Sequence, residues 1–196
     1  MSIEKNVEIL TSSGFKHISA LHTSEQLLNV EVNKTLKYSY PTQILNYTSM
    51  LFFNIYSNQW IPNLLLNESV QLIPFPLQMN INYESDILEM LNPYSNEYIV
   101  GLTGATFENV PCDQANKIQE LSCKSGLFCI IKVTDLINQL YCVEFPDNEF
   151  VDTNFLCVDK TSNVESVAIS TGDYNSVYIC RKFTDSFVYV PFVIKN

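Results

Sequence analysis

The chain has 196 residues, of which 46% are hydrophobic and 16% are charged, and its formal net charge is −10. This length suits a single domain with a sizeable buried core. Only 11 lysines and arginines are present, with no basic cluster longer than Arg181-Lys182. We therefore exclude nucleic acid as a direct partner, because binding to phosphates requires clustered cations.

The charged fraction is low, since about a quarter of residues are charged in ordinary soluble domains. It is compatible with a surface covered by neighbouring subunits, and equally with an ordinary soluble domain. The N-terminal sequence lacks the charged and then apolar pattern of a signal peptide. No run approaches the roughly 18 apolar residues of a membrane-spanning helix. We therefore expect synthesis in the cytoplasm and no membrane partner.

The cysteine pattern predicts free thiols and no metal site. All six cysteines lie in the second half and none has Cys-x-x-Cys spacing. In a reducing compartment, isolated cysteines of this kind are buried thiols by default. With only five glycines and no Gly-rich phosphate loop, we expect no cofactor. The cysteines are Cys112, Cys123, Cys129, Cys142, Cys157 and Cys180.

The first part of the chain predicts short strands separated by turns. Gly14 can adopt a positive φ in the turn at 11–14, and Asn33-Lys34 closes a hairpin. The segment 60–75, which begins at Trp60, is interrupted by prolines and predicts edge strands and loops. The predicted strands before it are 7–10, 15–21, 27–32, 36–40, 43–47 and 50–56.

Two short helices are predicted in the middle of the chain, at 85–91 and 113–121. Ser85 and Asp113 are the candidate caps of these helices. The remainder again predicts strands, so the fold class is mostly β, with many short strands separated by turns. These later strands are predicted at 127–133, 141–145, 155–158, 164–170, 176–181 and 186–194.

Three segments carry a resemblance to a known superfamily. In 141–159, two apolar runs flank a polar, turn-rich segment, which predicts strand, loop and strand. This layout resembles the last block of the Hedgehog/intein (Hint) superfamily, where a pair of strands carries the C-terminal splice junction. The segment 2–18 resembles the opening block. Residues 52–63, followed by 65–70, resemble the strand pair that leads into the family's histidine-containing box.

The resemblance implies a compact Hint-like β fold with one or two short helices. It places a Hint-like domain at 1–159, with a central insertion around 76–126. The remaining residues, 160–196, are then expected to form a C-terminal β extension packed on that domain.

The resemblance also implies where the chemistry would be. Ser2 falls on the nucleophile position of an acyl shift, and Val7 stands where the family usually has Thr. The box Thr is replaced by Leu65 and the box His by Glu68. The C-terminal His-Asn pair becomes Val158-Asp159. The resemblance therefore implies a scaffold without the reaction, and with only Met1 ahead of Ser2 we expect nothing useful to be released.

Other candidate groups have ordinary interpretations. Neither His17 nor His22 lies in a catalytic block, and His17 is expected to be a partly buried structural residue. An acidic cluster could suggest calcium, but it lacks the regular spacing that surrounds one ion, so no metal is expected there. The cluster consists of Glu144, Asp147, Glu149 and Asp152.

We expect a non-catalytic structural or interaction protein, and the setting we expect for it is a virus particle, as a minor capsid- or tail-associated component. Its partners would be other protein subunits, in a large assembly or a homo-oligomer, covering apolar edges near 60–75 or 186–194. The alternative is an autoprocessing Hint-type domain in which Ser2, or a cysteine such as Cys142, is the nucleophile. A third hypothesis, a Tudor-type peptide-binding barrel, needs an aromatic cage that no residue spacing singles out.

Overall fold

A computed structural model describes residues 1–56, 63–67, 69–73, 75–147, 156–172 and 175–195. The described chain forms fourteen strands and two α-helices, which confirms the mostly β fold. The strands are β1 (Ser2–Glu4), β2 (Val7–Thr11), β3 (Gly14–His17), β4 (Leu27–Val30), β5 (Leu36–Ser39), β6 (Gln43–Tyr56), β7 (Leu64–Leu66), β8 (Gln71–Ile73), β9 (Thr106–Pro111), β10 (Ile130–Asp135), β11 (Leu140–Glu144), β12 (Leu156–Ser170), β13 (Val177–Phe183) and β14 (Val188–Lys195).

Four strands close into a small barrel in the order β1-β12-β6-β7. Its framework is a long antiparallel ribbon of β6 and β12, which runs from Gln43 opposite Ser170 to Tyr56 opposite Leu156. Strand β1 pairs with β12 on one side and with β7 on the other. Apolar side chains from these strands join one core cluster, whose members include Ile3, Leu64, Leu66, Val167 and Ile169.

The remaining ten strands form a larger sheet, with the main order β3-β2-β4-β13-β14-β10-β11-β9. Strand β5 adds to β4, and β8 adds to β14. Strand β14 lies between β13 and β10, so the prediction of an apolar sheet edge at 186–194 is wrong. The predicted domain boundary at 159 falls inside β12, and the strands that follow it pair with β2, β4, β8 and β10.

The two helices are α1 (Glu84–Leu91) and α2 (Cys112–Lys124). Helix α2 buries Ala115 and Ile118 against the larger sheet, in one cluster with Ile131 and Val143. The predicted caps Ser85 and Asp113 are wrong, because both helices begin one residue earlier than predicted, so that Tyr83 and Pro111 are the N-cap residues. Both residues lie instead in a first turn, where the Asp113 carboxylate interacts favourably with the helix dipole. Neither helix of the described ranges is long and apolar enough to cross a membrane.

Several strands differ in extent from their predictions. The strands predicted at 43–47 and 50–56 are one strand, β6, because both halves pair with β12 and the register shift between them is a bulge, not a turn. The strand predicted at 15–21 ends at His17, where a 3-10 turn (Ile18–Ala20) begins. The strand predicted at 127–133 begins at Ile130. In each case sheet pairing, not local residue preference, decides where the strand ends.

The two apolar runs of 141–159 do not pair with each other. Residues 141–144 belong to β11, which pairs with β9 and β10 in the larger sheet. Leu156 to Val158 belong to β12 in the barrel, while the segment 148–155, which includes Phe155, lies outside the described residues. Both runs are therefore strands, as predicted, but each pairs with strands elsewhere in the chain.

Candidate functional site

Ser2 is held inside the barrel wall. Its backbone pairs with Ala168 of β12, and its exposed fraction is 7%. Because side chains alternate along a strand, Ser2 and Glu4 lie on one face of β1 while Ile3 enters the core on the other. No side-chain hydrogen bond of Ser2 is present among the described residues. The hydroxyl predicted to be a nucleophile therefore has no bonded base in the described structure.

Glu4 and Lys182 form an ion pair beside Ser2. Lys182 Nζ lies 2.9 Å from Glu4 Oε1, and both side chains are almost closed to solvent. The same carboxylate oxygen accepts a hydrogen bond from the backbone N–H of Leu65 at 3.1 Å, and Lys182 also donates to the carbonyl of Asn63 at 2.8 Å. The Glu4 carboxylate and the Lys182 ammonium are thus committed to each other.

Ser166 faces Glu4 directly across β1 and β12. Among the described residues, its Oγ is the one buried side-chain polar atom without a hydrogen-bond partner. Leaving such a hydroxyl unpaired costs about 1–3 kcal/mol. Ser2, Glu4, Ser166 and Lys182 together form what we call the Ser2 site.

Neither histidine forms a hydrogen bond with Ser2 in the described chain. His17 Nδ1 lies 2.7 Å from Ser19 Oγ, and both side chains are exposed at an open hollow of about 440 Å³. Glu4 and Leu65 also line this hollow, whereas Ser2 does not. The expectation that His17 is partly buried is wrong, because β3 ends there and turns its imidazole to solvent. His22 is exposed, and its backbone N–H donates to Glu25.

Of the substituted Hint positions that the structure describes, Val7 and Asp159 lie on other strands than Ser2. Val7 is fully buried and faces Lys182 across β2 and β13. Asp159 is exposed and pairs with Asn54, far along β12 from the residue that faces Ser2. Glu68, Trp60 and the side chain of Val158 lie outside the described residues. Leu65 is the one box position that reaches the Ser2 site, through its backbone.

Four cysteines have a raised pKa, which makes their thiols poor nucleophiles: Cys123, Cys129, Cys142 and Cys180. Burial raises the pKa of the Cys142 thiol, and the carboxylates of Glu144 and Glu108 raise it further. Burial likewise raises the pKa of Cys123 to about 12, and it raises the pKa of Cys129 and of Cys180. A raised pKa lowers the fraction of thiolate, which is the reactive form.

A second charged centre lies where α2 meets the larger sheet. The Arg181 guanidinium is stacked between the rings of Phe15 and Tyr189, at 4.5 and 4.2 Å from their centroids. It donates to Glu8, and its Nη1 donates to Asn116 at 2.7 Å and to Gln119 at 2.9 Å. This network fixes α2 on the sheet, and its cation is already neutralised by Glu8.

No group of three metal-binding side chains lies together in the described ranges. Of the acidic cluster singled out in the sequence, Glu149 and Asp152 lie outside those ranges. The sequence did not indicate Lys182 or Ser166 as members of this site. Both lie on late strands of the chain, β13 and β12, which sheet pairing brings to the N-terminal strands.

No protein-family model and no curated protein matches the chain. Among solved structures, the chain is similar to a GSH-linked, splice-inactive variant of the AceL NrdHF class 3 split intein. The sequences are 12% identical, the alignment covers 99% of this chain and 97% of that chain, and the TM-score is 0.42. A TM-score this low does not establish a shared fold and carries no argument about function.

Proposed function

We propose that this chain is a non-catalytic protein that works by binding other protein subunits, on a scaffold that resembles the Hint fold. Its setting would be a large assembly or a homo-oligomer, such as a virus particle in which it is a minor capsid- or tail-associated component. The observation that carries the proposal is the Ser2 site, where the groups needed for an acyl shift are absent or already paired.

A serine becomes a nucleophile when a base lies within hydrogen-bond reach of its hydroxyl. In the described structure neither His17 nor His22 bonds to Ser2, and the nearby Glu4 carboxylate is bonded to Lys182. The Ser2 backbone is also paired in β1, so attack on the preceding carbonyl would require that strand to open. These features favour a structural role for Ser2.

The Ser2 site is also poorly suited to stabilise the negative charge that develops on the carbonyl oxygen during acyl transfer. An oxyanion needs free N–H donors in a water-poor pocket. The backbone N–H of Leu65, at a box position, is instead taken by the Glu4 carboxylate. Because this N–H already donates to Glu4, it is not free to stabilise an oxyanion, which supports a scaffold without the reaction.

Exposed apolar side chains support a role in binding. Four large apolar side chains are largely exposed, and covering them with a partner would be favourable: Tyr98, Val100, Leu136 and Ile137. Grouped apolar side chains on a surface mark sites of protein association.

A fusion experiment tests the proposal. A reporter peptide placed ahead of Ser2 is expected to stay attached in the presence of a thiol or hydroxylamine, in the original chain and in a Ser2→Ala control. Cleavage that disappears in Ser2→Ala, or in Cys142→Ala, would establish the autoprocessing alternative instead.

Native mass measurement tests the second half of the proposal. The purified chain is expected to form an oligomer or to co-assemble with a subunit from its source. A monomer at all concentrations that joins no assembly would contradict a role in binding.

A further inference from the structure

Two turns of the larger sheet lie side by side at one end of it. Strands β10 and β11 are joined by a turn that carries Leu136 and Ile137, and β13 and β14 by a turn that carries Asp185 and Phe187. Strands β10 and β14 are antiparallel neighbours, and the backbone N–H of Val133 donates to the carbonyl of Phe187 at 2.9 Å. We call this pair of turns, 135–140 and 183–188, the paired tips.

The paired tips expose large apolar side chains. Ile137 is 93% exposed, Leu136 75%, Phe187 57% and Phe183 42%. The aromatic residues are in contact, with 6.0 Å between the ring centroids of Phe183 and Phe187, and 4.5 Å between those of Phe183 and Tyr189. Turns at the tips of hairpins are normally polar, so four such side chains at one end of a sheet are unusual.

Phe187 is held in an unfavourable backbone conformation. Its φ is 61°, in the left-handed region where a bulky side chain is strained and Gly or Asn is preferred. The ring gains little burial in return, because more than half of it faces solvent. Folding stability therefore does not explain a Phe at this position, and strain of this kind is found where function requires the side chain.

The charges at the paired tips are negative. Each turn carries one aspartate, Asp135 or Asp185, next to its apolar residues. The cations of β13 are engaged elsewhere, since Arg181 bonds Glu8 and Lys182 bonds Glu4. Lys132 of β10 lies on the opposite face of the sheet from Tyr189, because neighbouring residues of a strand alternate.

We propose that the paired tips bind a segment of another protein in which apolar residues are combined with Lys or Arg. This inference rests on the proposed function and specifies the chemistry of the partner. Arg or Lys of the partner would stack on the rings of Phe183 and Phe187 and pair with Asp135 and Asp185. Its apolar residues would cover Leu136 and Ile137.

The negative charge of the paired tips favours a cationic protein segment over a second copy of this chain and over an anionic membrane. A second copy would bring identical carboxylates together, and each copy carries a net charge of −10. An anionic membrane surface would be repelled in the same way. A cationic protein segment is instead attracted at long range, which raises its association rate.

The probe is a synthetic peptide that repeats Arg, Leu and Ser, added to the full, isotope-labelled chain, with a matched peptide in which Glu replaces Arg. We expect NMR shift changes concentrated at 133–141 and 183–189 with the Arg peptide only. Phe187→Gly and Ile137→Ser should each weaken binding by roughly tenfold. The matched control is Val32→Ser, since Val32 is 96% exposed and follows Glu31, and it should leave the affinity unchanged.

Phe187→Gly separates binding from folding. Gly relieves the strained φ, so the variant should unfold at the same or a higher temperature while it loses affinity. Equal binding by the Glu peptide, shifts away from the paired tips, or no binding by the original chain would overturn the proposal. So would dimerisation, or binding to phosphatidylserine vesicles, that Phe187→Gly abolishes. None of these outcomes bears on the fusion experiment at Ser2, which decides the proposed function separately.

Discussion

Arg181 faces Glu8 directly across β13 and β2, and its guanidinium donates to the Glu8 carboxylate. The next residue along β13, Lys182, points to the opposite face and pairs with Glu4 of β1. The chain's one dibasic pair therefore ties both N-terminal strands to β13, one through each face of the sheet.

Removing the Arg181 cation should destabilise the fold strongly. Arg181→Met leaves Glu8 without its partner and Asn116 and Gln119 without their donor, which should lower the free energy of unfolding by about 3 kcal/mol. Arg181→Lys should recover part of this loss, because an ammonium cannot reach all three acceptors. Urea denaturation measures both, with Lys132→Met as an exposed control. A loss below about 0.5 kcal/mol for Arg181→Met, the range of ordinary surface changes, would refute the network's importance.

Breaking the Glu4–Lys182 pair from one side should cost more than removing both charges. Lys182→Met leaves a buried carboxylate unpaired, which should cost about 3 kcal/mol. Adding Glu4→Gln to it removes that charge and should restore part of the stability. The coupling is measured by a double-mutant cycle in urea. Additive losses in the two single variants would show that the pair does not interact.

Gly126 is expected to tolerate no side chain. Its φ is 77°, and a Cβ at this position would lie 2.1 Å from the carbonyl oxygen of Leu77. Gly126→Ala should therefore cost more than the roughly 1 kcal/mol of left-handed strain alone. Gly172→Ala is the matched control, since its φ is 73° and nothing lies within 4 Å of its Cβ. Equal thermal shifts in the two variants would contradict the clash.

The sequence predicted local features correctly and distant ones poorly. The turn at Gly14 and the hairpin of β4 and β5 follow from residues that are neighbours in the chain. The union of two predicted strands in β6, and the separation of the two runs in 141–159, depend on partners far away in sequence. Strand pairing between distant segments leaves no local pattern, so the ion pair at the Ser2 site had no sequence signal.

The buried thiols should react only after unfolding. Burial raises the pKa of Cys123 to about 12, and Cys129 and Cys180 are equally buried. Iodoacetamide at pH 8 should label these three only in denaturant, while Cys112, which is partly exposed, reacts in the native chain. Site-resolved mass spectrometry reads out each position, and fast native labelling of Cys123 would contradict its burial.

The same thiols should make stability depend on alkaline pH. Their pKa is higher in the folded chain than the ordinary value of 9.0, so the unfolded chain releases these protons first. Stability should therefore fall between pH 9.0 and about 12. Cys123→Ala should reduce this dependence, which urea midpoints at several pH values measure, and an unchanged slope would exclude Cys123 as a cause.

The Asp135 carboxyl, in the turn between β10 and β11, should titrate at a lower pH than an ordinary aspartate. The backbone N–H of Asn138 and then its side-chain amide donate to the Asp135 carboxylate, and both hold its pKa below the ordinary value of 3.8. The turn should be stabilised above that value and lose this contribution as the pH falls through the lowered pKa. NMR titration of the Asp135 carboxyl measures the midpoint. Asn138→Ala, which keeps the backbone donor, should raise the midpoint only part of the way, and no change would exclude the amide's role.

The closure of β1 onto β12 has a consequence for the nascent chain. Strands β1 and β2 are synthesised before their partners, which lie in β12 and β13, far along the chain. At usual rates of synthesis, Ile3, Val7 and Ile9 wait roughly 10–30 s before the strands that bury them exist. During this time the apolar side chains of β1 and β2 are exposed, and we expect them to need a chaperone until β12 and β13 have been synthesised. The later strands thus decide when the earlier ones can fold.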